Sequence, residues 1–319
     1  MGTYKSKQYL FVLLKVIVVI AALTFIYQRL NVQEVFTGGG FKENLLSSRL
    51  FEVSNITLLF FLSFLNWFFE ILKWQVLAGR LKNISISEST QHVLTAHTSS
   101  IFTPFKIGEY GAKTLYFAKK QAKKVVFLNF LGNMAQMSAT LVFGIMGLFF
   151  FIKWNFSQWL DLYVFIVTLG LLFLFIGRRW ISIGKMKIKG FSLKKIAEFI
   201  NSIPTSDRIK ILSFSVARYV FFSLQFCFLL ALFTPVVWVE VLPLISTMYL
   251  LSSLLPVLQL FDFAVKGGIA VLVFSAISAE IVVSVAFIMW LLNAMLPALV
   301  GSWFVLSFDT KKLLKPVAK

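Results

Sequence analysis

The sequence predicts an all-α, polytopic integral membrane protein of six to eight transmembrane helices, folded as an inverted repeat with re-entrant helical hairpins. Three observations carry that prediction. The 319 residues are 59% hydrophobic and only 14% charged, whereas soluble domains run at about 45–50% and about 25%. The basic residues crowd into alternate loops. Two proline-broken segments that do not read as plain spans, 88–120 and 241–278, recur at the same place in each half.

Five stretches are apolar enough to cross a bilayer, near 9–27, 56–77, 124–152, 158–177 and 211–233, since about 20 residues span the hydrocarbon. A sixth, 280–307, holds Trp290, Pro297 and Trp303 and is long enough to cross with tilt. The first run follows Lys5 and Lys7 without a small-residue cleavage site, so it reads as an uncleaved signal anchor.

Orientation follows from counting Lys and Arg. With a cytoplasmic N-terminus, the inner segments 1–10, 73–88, 106–124, 178–210 and 307–319 carry 24 of the 31 basic residues. The outer segments 28–55, 153–161 and 234–243 carry 4. The positive-inside rule then puts both termini in the cytoplasm. The net charge of +18 is thereby explained by an anionic leaflet, with no nucleic acid needed. Lys73 and Arg80 read as inner-end anchors of the second span. Lys119, Lys120, Lys123 and Lys124 read as a leaflet anchor or a lipid-gathering cluster. Within 178–210, the stretch 191–203 has helical apolar spacing with Ser192 as N-cap, predicting an amphipathic helix on the inner surface. Cys227 is the one cysteine, so no internal disulfide forms.

The chain reads as one membrane domain, 1–319, with pseudo-repeats about 56–152 and 211–307 joined by the basic cytoplasmic segment 178–210. A shift of 153 residues aligns Ser99-Ser100 with Ser252-Ser253, Glu109 with Asp262 and Lys113 with Lys266. The first copy holds Glu88, His92, Thr95, His97 and Thr98 before Pro104. So polar a stretch cannot face lipid, where each unsatisfied group costs several kcal/mol. A hairpin entering from the cytoplasm fits it. The second copy, from Pro243 through Pro256 to Ser278, enters from outside or crosses twice. Inverted repeats with broken helices meeting near the midplane are a common transporter architecture.

Glu109 with Lys113, and Asp262 with Lys266, are acid–lysine pairs at i, i+4, one helix face each. Charges inside a membrane face a bundle interior or a cavity. Either the pairs merely pin their helices, or the lysines meet an anionic head group and the carboxylates an amine or proton. Arg218, inside 211–233, either snorkels to the edge or offers phosphate a bidentate contact. Enzymatic signatures are missing: His92 and His97 lie on different helix faces, and there is no G-x-S-x-G elbow, P-loop or G-x-G-x-x-G. No catalytic residue, metal site or cofactor is assigned.

The run Pro104-Phe105-Lys106-Ile107-Gly108-Glu109, with the basic stretch and long span after it, resembles the lysylphosphatidylglycerol synthase/flippase membrane-region family. Pro256 to Gly268, with the closing span 280–307, resembles that family's C-terminal half, and the likeness runs from about 50 to 307. It implies a bacterial inner-membrane flippase part without the soluble aminoacyl-transferase domain, so lipid aminoacylation is not expected. Asp262 and Lys266 stand where a more glycine-rich run ending in an acid is expected, which leaves the second acidic position open. The expectation is a non-enzymatic, flippase-like transporter of an anionic or zwitterionic lipid head group, on a phospholipid or a polyprenyl phosphate. Glu109, Lys113, Asp262, Lys266 and Arg218 are the candidate substrate-binding residues, and membrane lipids are the partners. The rival readings are a membrane-embedded transferase on lipid-linked substrates and a non-transporting scaffold.

Overall fold

Each long element is built around an apolar run, because a helix that satisfies its own backbone is the cheapest way to hold such a run. A computed structural model describes residues 49–101, 103, 106–155, 187–188, 191–192, 201–254 and 262–308. The expected spans 9–27 and 158–177 lie outside the described residues.

The described chain is all-helical apart from one two-residue antiparallel pairing, β1 (Lys187–Ile188) with β2 (Phe191–Ser192). Its helices are α1 (Val53–Ala78), α2 (Ile86–Ser100), α3 (Ile107–Thr114), α4 (Ala122–Asn155), α5 (Thr205–Phe233), α6 (Trp238–Ser253), α7 (Asp262–Val273), α8 (Ala279–Trp290) and α9 (Leu296–Ser307). A π turn, Leu291–Met295, joins α8 to α9 as one rod. Four helical stretches are long and apolar enough to cross a membrane: α1, α4 with the 3₁₀ turn before it, α5, and the α8–α9 rod. Their outward faces carry bare apolar side chains such as Phe61, Phe64, Met146 and Trp303. An exterior this apolar suits hydrocarbon better than water.

Two sequence details are corrected. Pro243 does not open its segment; it sits inside α6, which starts five residues earlier at Trp238. At the sixth helical position its missing N–H leaves the Val239 carbonyl without its intrahelical donor, one bond lost near the start of the helix. In the stretch 191–203, Phe191 and the expected N-cap Ser192 pair with Ile188 and Lys187 as strand, while Asn201 and Ser202 are helical as expected. Residues 193–200 lie outside the described residues.

Short elements are held by local chemistry. Ser85 and Glu88 form a capping box at the start of α2: Glu88 N–H donates to Ser85 Oγ at 3.1 Å, and Ser85 N–H donates to the Glu88 carboxylate at 2.8 Å. Such reciprocal caps satisfy two orphan amides. The Ser85 amide, and then Lys82, hold the Glu88 carboxyl below its ordinary range. Arg80, after α1, pairs with Asp207 in the first turn of α5.

α1 and α5 run antiparallel along the middle of the molecule, since Leu59 meets Gln225 while Phe69 meets Phe214. The polar helix α2 lies against α9, and α6 lies against α4. Both contacts are close enough to require glycine. A Cβ on Gly301 of α9 would strike the Leu94 carbonyl and the Thr98 hydroxyl of α2. One on Gly147 of α4 would strike the Pro243 carbonyl and Ser246 of α6. Small residues are the usual means of bringing membrane helices together, where no hydrophobic effect separates protein from lipid.

Gly301→Ala and Gly147→Ala are each expected to destabilise the detergent-solubilised protein by about 1–3 kcal/mol, the usual cost of overpacking. Gly111→Ala in α3, where nothing lies within 4 Å, should be neutral or stabilise by up to about 1 kcal/mol. Thermal unfolding measures all three. A Gly301→Ala protein as stable as wild type would refute the close α2–α9 contact.

Candidate functional site

α1 carries one acidic residue within its apolar length, Glu70, and the interior is organised around it. Glu70 Oε2 lies 2.7 Å from Lys73 Nζ, one turn along the same helix. It also accepts a hydrogen bond from Arg218 Nη1 of α5 at 2.6 Å. Arg218 Nε donates to Asn66 Oδ1 at 2.9 Å, and Asn66 donates to Asn293 Oδ1 at 2.9 Å. Asn293 in turn donates to Gln225 Oε1 at 2.8 Å, and Gln225 donates to the Leu59 carbonyl at 2.9 Å. The chain of bonds ties α1, α5 and the π turn into one unit.

The π turn explains how Asn293 gets there. Pro297 lacks an N–H, and in π geometry its missing bond would have gone to Leu292. The freed Leu292 carbonyl accepts from Ser63 Oγ of α1 at 2.9 Å instead. The Ala294 carbonyl meets His97 Nε2 at 2.9 Å, and the Ala298 carbonyl accepts from Thr98 Oγ1 at 3.0 Å. Thus His97 and Thr98 of α2 are satisfied by the backbone of a broken helix.

All five residues selected from the sequence, Glu109, Lys113, Asp262, Lys266 and Arg218, line one cavity of about 220 Å³. It lies where α2 gives way to α3 and where α7 begins, with α1 and α5 across from them. Lys106, Glu70, Asn66 and Asn293 line it too. A second chamber of about 380 Å³ shares Lys106, Arg218, Asp262 and Lys266 with the first, and extends to Gln136 and Thr140 of α4.

The two acid–lysine pairs form as the spacing implies but differ in surroundings. Lys113 Nζ is 3.0 Å from Glu109, donates to Asn129 Oδ1 at 2.5 Å, and sits 4.3 Å above the Trp74 ring. At 1% exposure its charge is largely committed to holding α3 against α1 and α4. Lys266 has Asp262 at 2.6 Å and lies beside the rings of Phe222 and Tyr249. Its side chain is 25% exposed, and Arg218's is 24%. These two, with Lys106, are the cations a ligand can reach. Lys106 adopts a left-handed conformation, φ 56°, at the start of α3, a cost an L-residue bears only where the surrounding fold imposes it.

Two residues are placed apart from a reading the sequence allowed, and others were missed. Lys73 is no membrane anchor: it is 1% exposed and paired with Glu70, because α1 continues to Ala78 and leaves it more than a turn inside. Arg218 does not snorkel to an edge; it turns inward to Glu70 and Asn66. Glu70 was missed altogether, although an acid inside an apolar span is itself the signal. Asn129, Asn133, Gln136 and Thr140 on α4 were missed too, and their helical spacing was readable. Among the described residues no group of three or more His, Cys, Asp or Glu side chains is placed to hold a metal ion.

Glu70→Gln would leave Lys73 and Arg218 buried without their common anion. It is expected to cost about 3–5 kcal/mol, as breaking a buried ion pair does. Adding Lys73→Met to that variant should restore part of the loss. Thermal unfolding in detergent reads both, and a single variant as stable as wild type would show that the three charges are not coupled.

No protein-family model matches the chain, and no curated protein matches it significantly, so the functional reading rests on this geometry.

Proposed function

We propose that the protein is a flippase-like transporter that carries an anionic or zwitterionic lipid head group across a bacterial inner membrane. The acyl or polyprenyl chains stay in lipid. The observation that carries this reading is the cavity: cations and carboxylates from both halves of the chain face one polar space inside an otherwise apolar helical body. Charges are expensive in a membrane and are kept there for a substrate or ion path.

An inverted repeat supports it. Shifted by 153 residues, α2 falls on 239–253 and α3 on 260–267, beside the observed α6 and α7. Likewise α1 falls on 206–231, within α5, and α4 falls on 275–308, over the α8–α9 rod. The helices α1 and α5, equivalent under this shift, pack antiparallel, as a two-fold axis in the membrane plane requires. The cross-packing matches to within one residue as well: Gly301 sits on Leu94, and Gly147, next to the position 153 before Gly301, sits beside Thr247, which lies 153 positions after Leu94. In this arrangement α2–α3 and α6–α7 are the two re-entrant hairpins, entering from opposite sides with their tips at the cavity. With the signal anchor 9–27 and the expected span 158–177, the four spans make six crossings and leave both termini in the cytoplasm, the hairpins adding none. The resemblance of 104–109 to the lysylphosphatidylglycerol synthase/flippase membrane region points the same way.

Transbilayer movement of head-group-labelled lipids in proteoliposomes tests the reading. Wild type should move a subset of anionic or zwitterionic lipids well above empty vesicles. Lys113→Ala with Lys266→Ala should slow that movement by about tenfold or more, since each charged hydrogen bond is worth about 1.5–3 kcal/mol. Because Lys113 is a packing residue, the single variant Lys266→Gln serves as the folded control and should also slow movement. Movement unchanged in these variants, or none above empty vesicles with folded wild type, would sink the proposal.

A further inference from the structure

The balance of charge and hydrogen-bonding groups in the cavity restricts the head group it accepts. Five cations (Lys73, Lys106, Lys113, Arg218 and Lys266) stand in or against it, facing three carboxylates (Glu70, Glu109 and Asp262). Each carboxylate already lies within 3.0 Å of a lysine or arginine. No carboxylate is therefore left over for an ammonium, while two positive charges exceed their partners. α3 and α7 also begin at this space, and helix N-termini add partial positive charge. The cavity favours an anion.

The second chamber adds a different kind of wall. On α4 the polar residues Asn129, Asn133, Gln136 and Thr140 follow one another at helical spacing, and the last three line the chamber. Gln136 Oε1 is buried without a partner among the described residues. The Thr140 hydroxyl donates to the Gln136 carbonyl. Ser252 and Ser253 of α6, which also line the chamber, donate to Tyr249 and Leu250 carbonyls of their own helix. With their protons spent, these hydroxyls offer acceptor oxygens, as does the unpartnered amide oxygen. The Tyr249 hydroxyl, on a residue lining the same chamber, is buried without a hydrogen-bond partner among the described residues and has a proton to give. Such a wall suits groups that both donate and accept. Ammonium only donates and adds charge to a site already positive; neutral hydroxyl groups do both without that cost.

We infer that the site selects a phosphate-bearing, polyhydroxylated head group, of the sugar or cyclitol kind, over an aminoacylated one. This rests on the transport reading and narrows it. The phosphate lies at the junction of the chambers, where Lys106, Arg218 and Lys266 line both. The hydroxylated part occupies the chamber of about 380 Å³ against α4 and α6, a size within the range of small-ligand pockets.

Binding to the full-length protein in detergent tests the head group independently of movement. The probes are dioctanoyl phosphatidylinositol, dioctanoyl phosphatidic acid and dioctanoyl lysylphosphatidylglycerol, with glycerophosphoinositol as the same head group without acyl chains. Phosphatidylinositol should bind about tenfold or more tighter than the lysyl lipid, at least the upper end of what one neutral hydrogen bond supplies. Gln136→Leu with Thr140→Val should bring phosphatidylinositol down to phosphatidic acid while leaving phosphatidic acid binding within about twofold. Preference for the lysyl lipid, or an unchanged inositol preference in that folded double variant, overturns the inference. The same lipids are followed in proteoliposomes. Selective inositol lipid binding without movement would leave the head-group assignment standing and defeat the transport reading. Glycerophosphoinositol binding as tightly as the lipid would likewise keep the head-group class and defeat a lipid substrate.

Discussion

Glu70 is the point on which the interior depends. It is the shared anion of Lys73 and Arg218, and it joins α1 to α5 at the middle of the molecule. Removing such a charge from water costs several kcal/mol, and attraction offsets this only when the remaining donors and acceptors are also met. The structure meets them through Asn66, Asn293 and Gln225, ending on a backbone carbonyl. The π turn before Pro297 follows from the same need, because it releases carbonyls that Ser63 and His97 take up.

Around this polar centre the helices hold together without help from water. Glycines at 147 and 301 let backbone approach backbone, and aromatic rings fill what remains, as where Phe143 stacks on Tyr219 and Phe226 on Phe274. The division of labour is sharp. The outer faces of α1, α4 and α9 are apolar and bare, while the charges converge inward. That contrast is what separates a membrane body with a polar path from one that is merely anchored.

Much of this was legible beforehand, for reasons that are local. The apolar runs located α1, α4, α5 and the α8–α9 rod within a few residues, because length and hydrophobicity alone decide where a span can form. The i, i+4 acids and lysines paired as helix geometry requires. What stayed hidden depended on tertiary placement. Lys73 lies near Arg80 in sequence and looked like part of the same basic edge although the expected span already ran to 77; what stayed hidden was that its side chain turns inward to Glu70. The partner of Arg218 is 148 residues away, beyond any spacing rule. The α4 stripe had a helical period but no charge, so it carried little weight beside the lysines. Phe191 and Ser192 followed a helical apolar pattern yet paired as strand, since a pattern over so few residues also permits a hairpin.

The two acid–lysine pairs, alike in spacing, have been put to different ends. Lys113 is enclosed by Glu109, Asn129 and Trp74, and its neighbours leave no room for a ligand to replace them. Lys266 has one carboxylate, itself 37% exposed, and aromatic rings that tolerate a cation without holding it in hydrogen bonds. On the transport reading proposed above, a phosphate would displace Asp262 from Lys266 far more readily than Glu109 from Lys113. The exchangeable pair would then be the one in the second half, and the first-half pair, with Glu70 and Lys73, the fixed surface beside it.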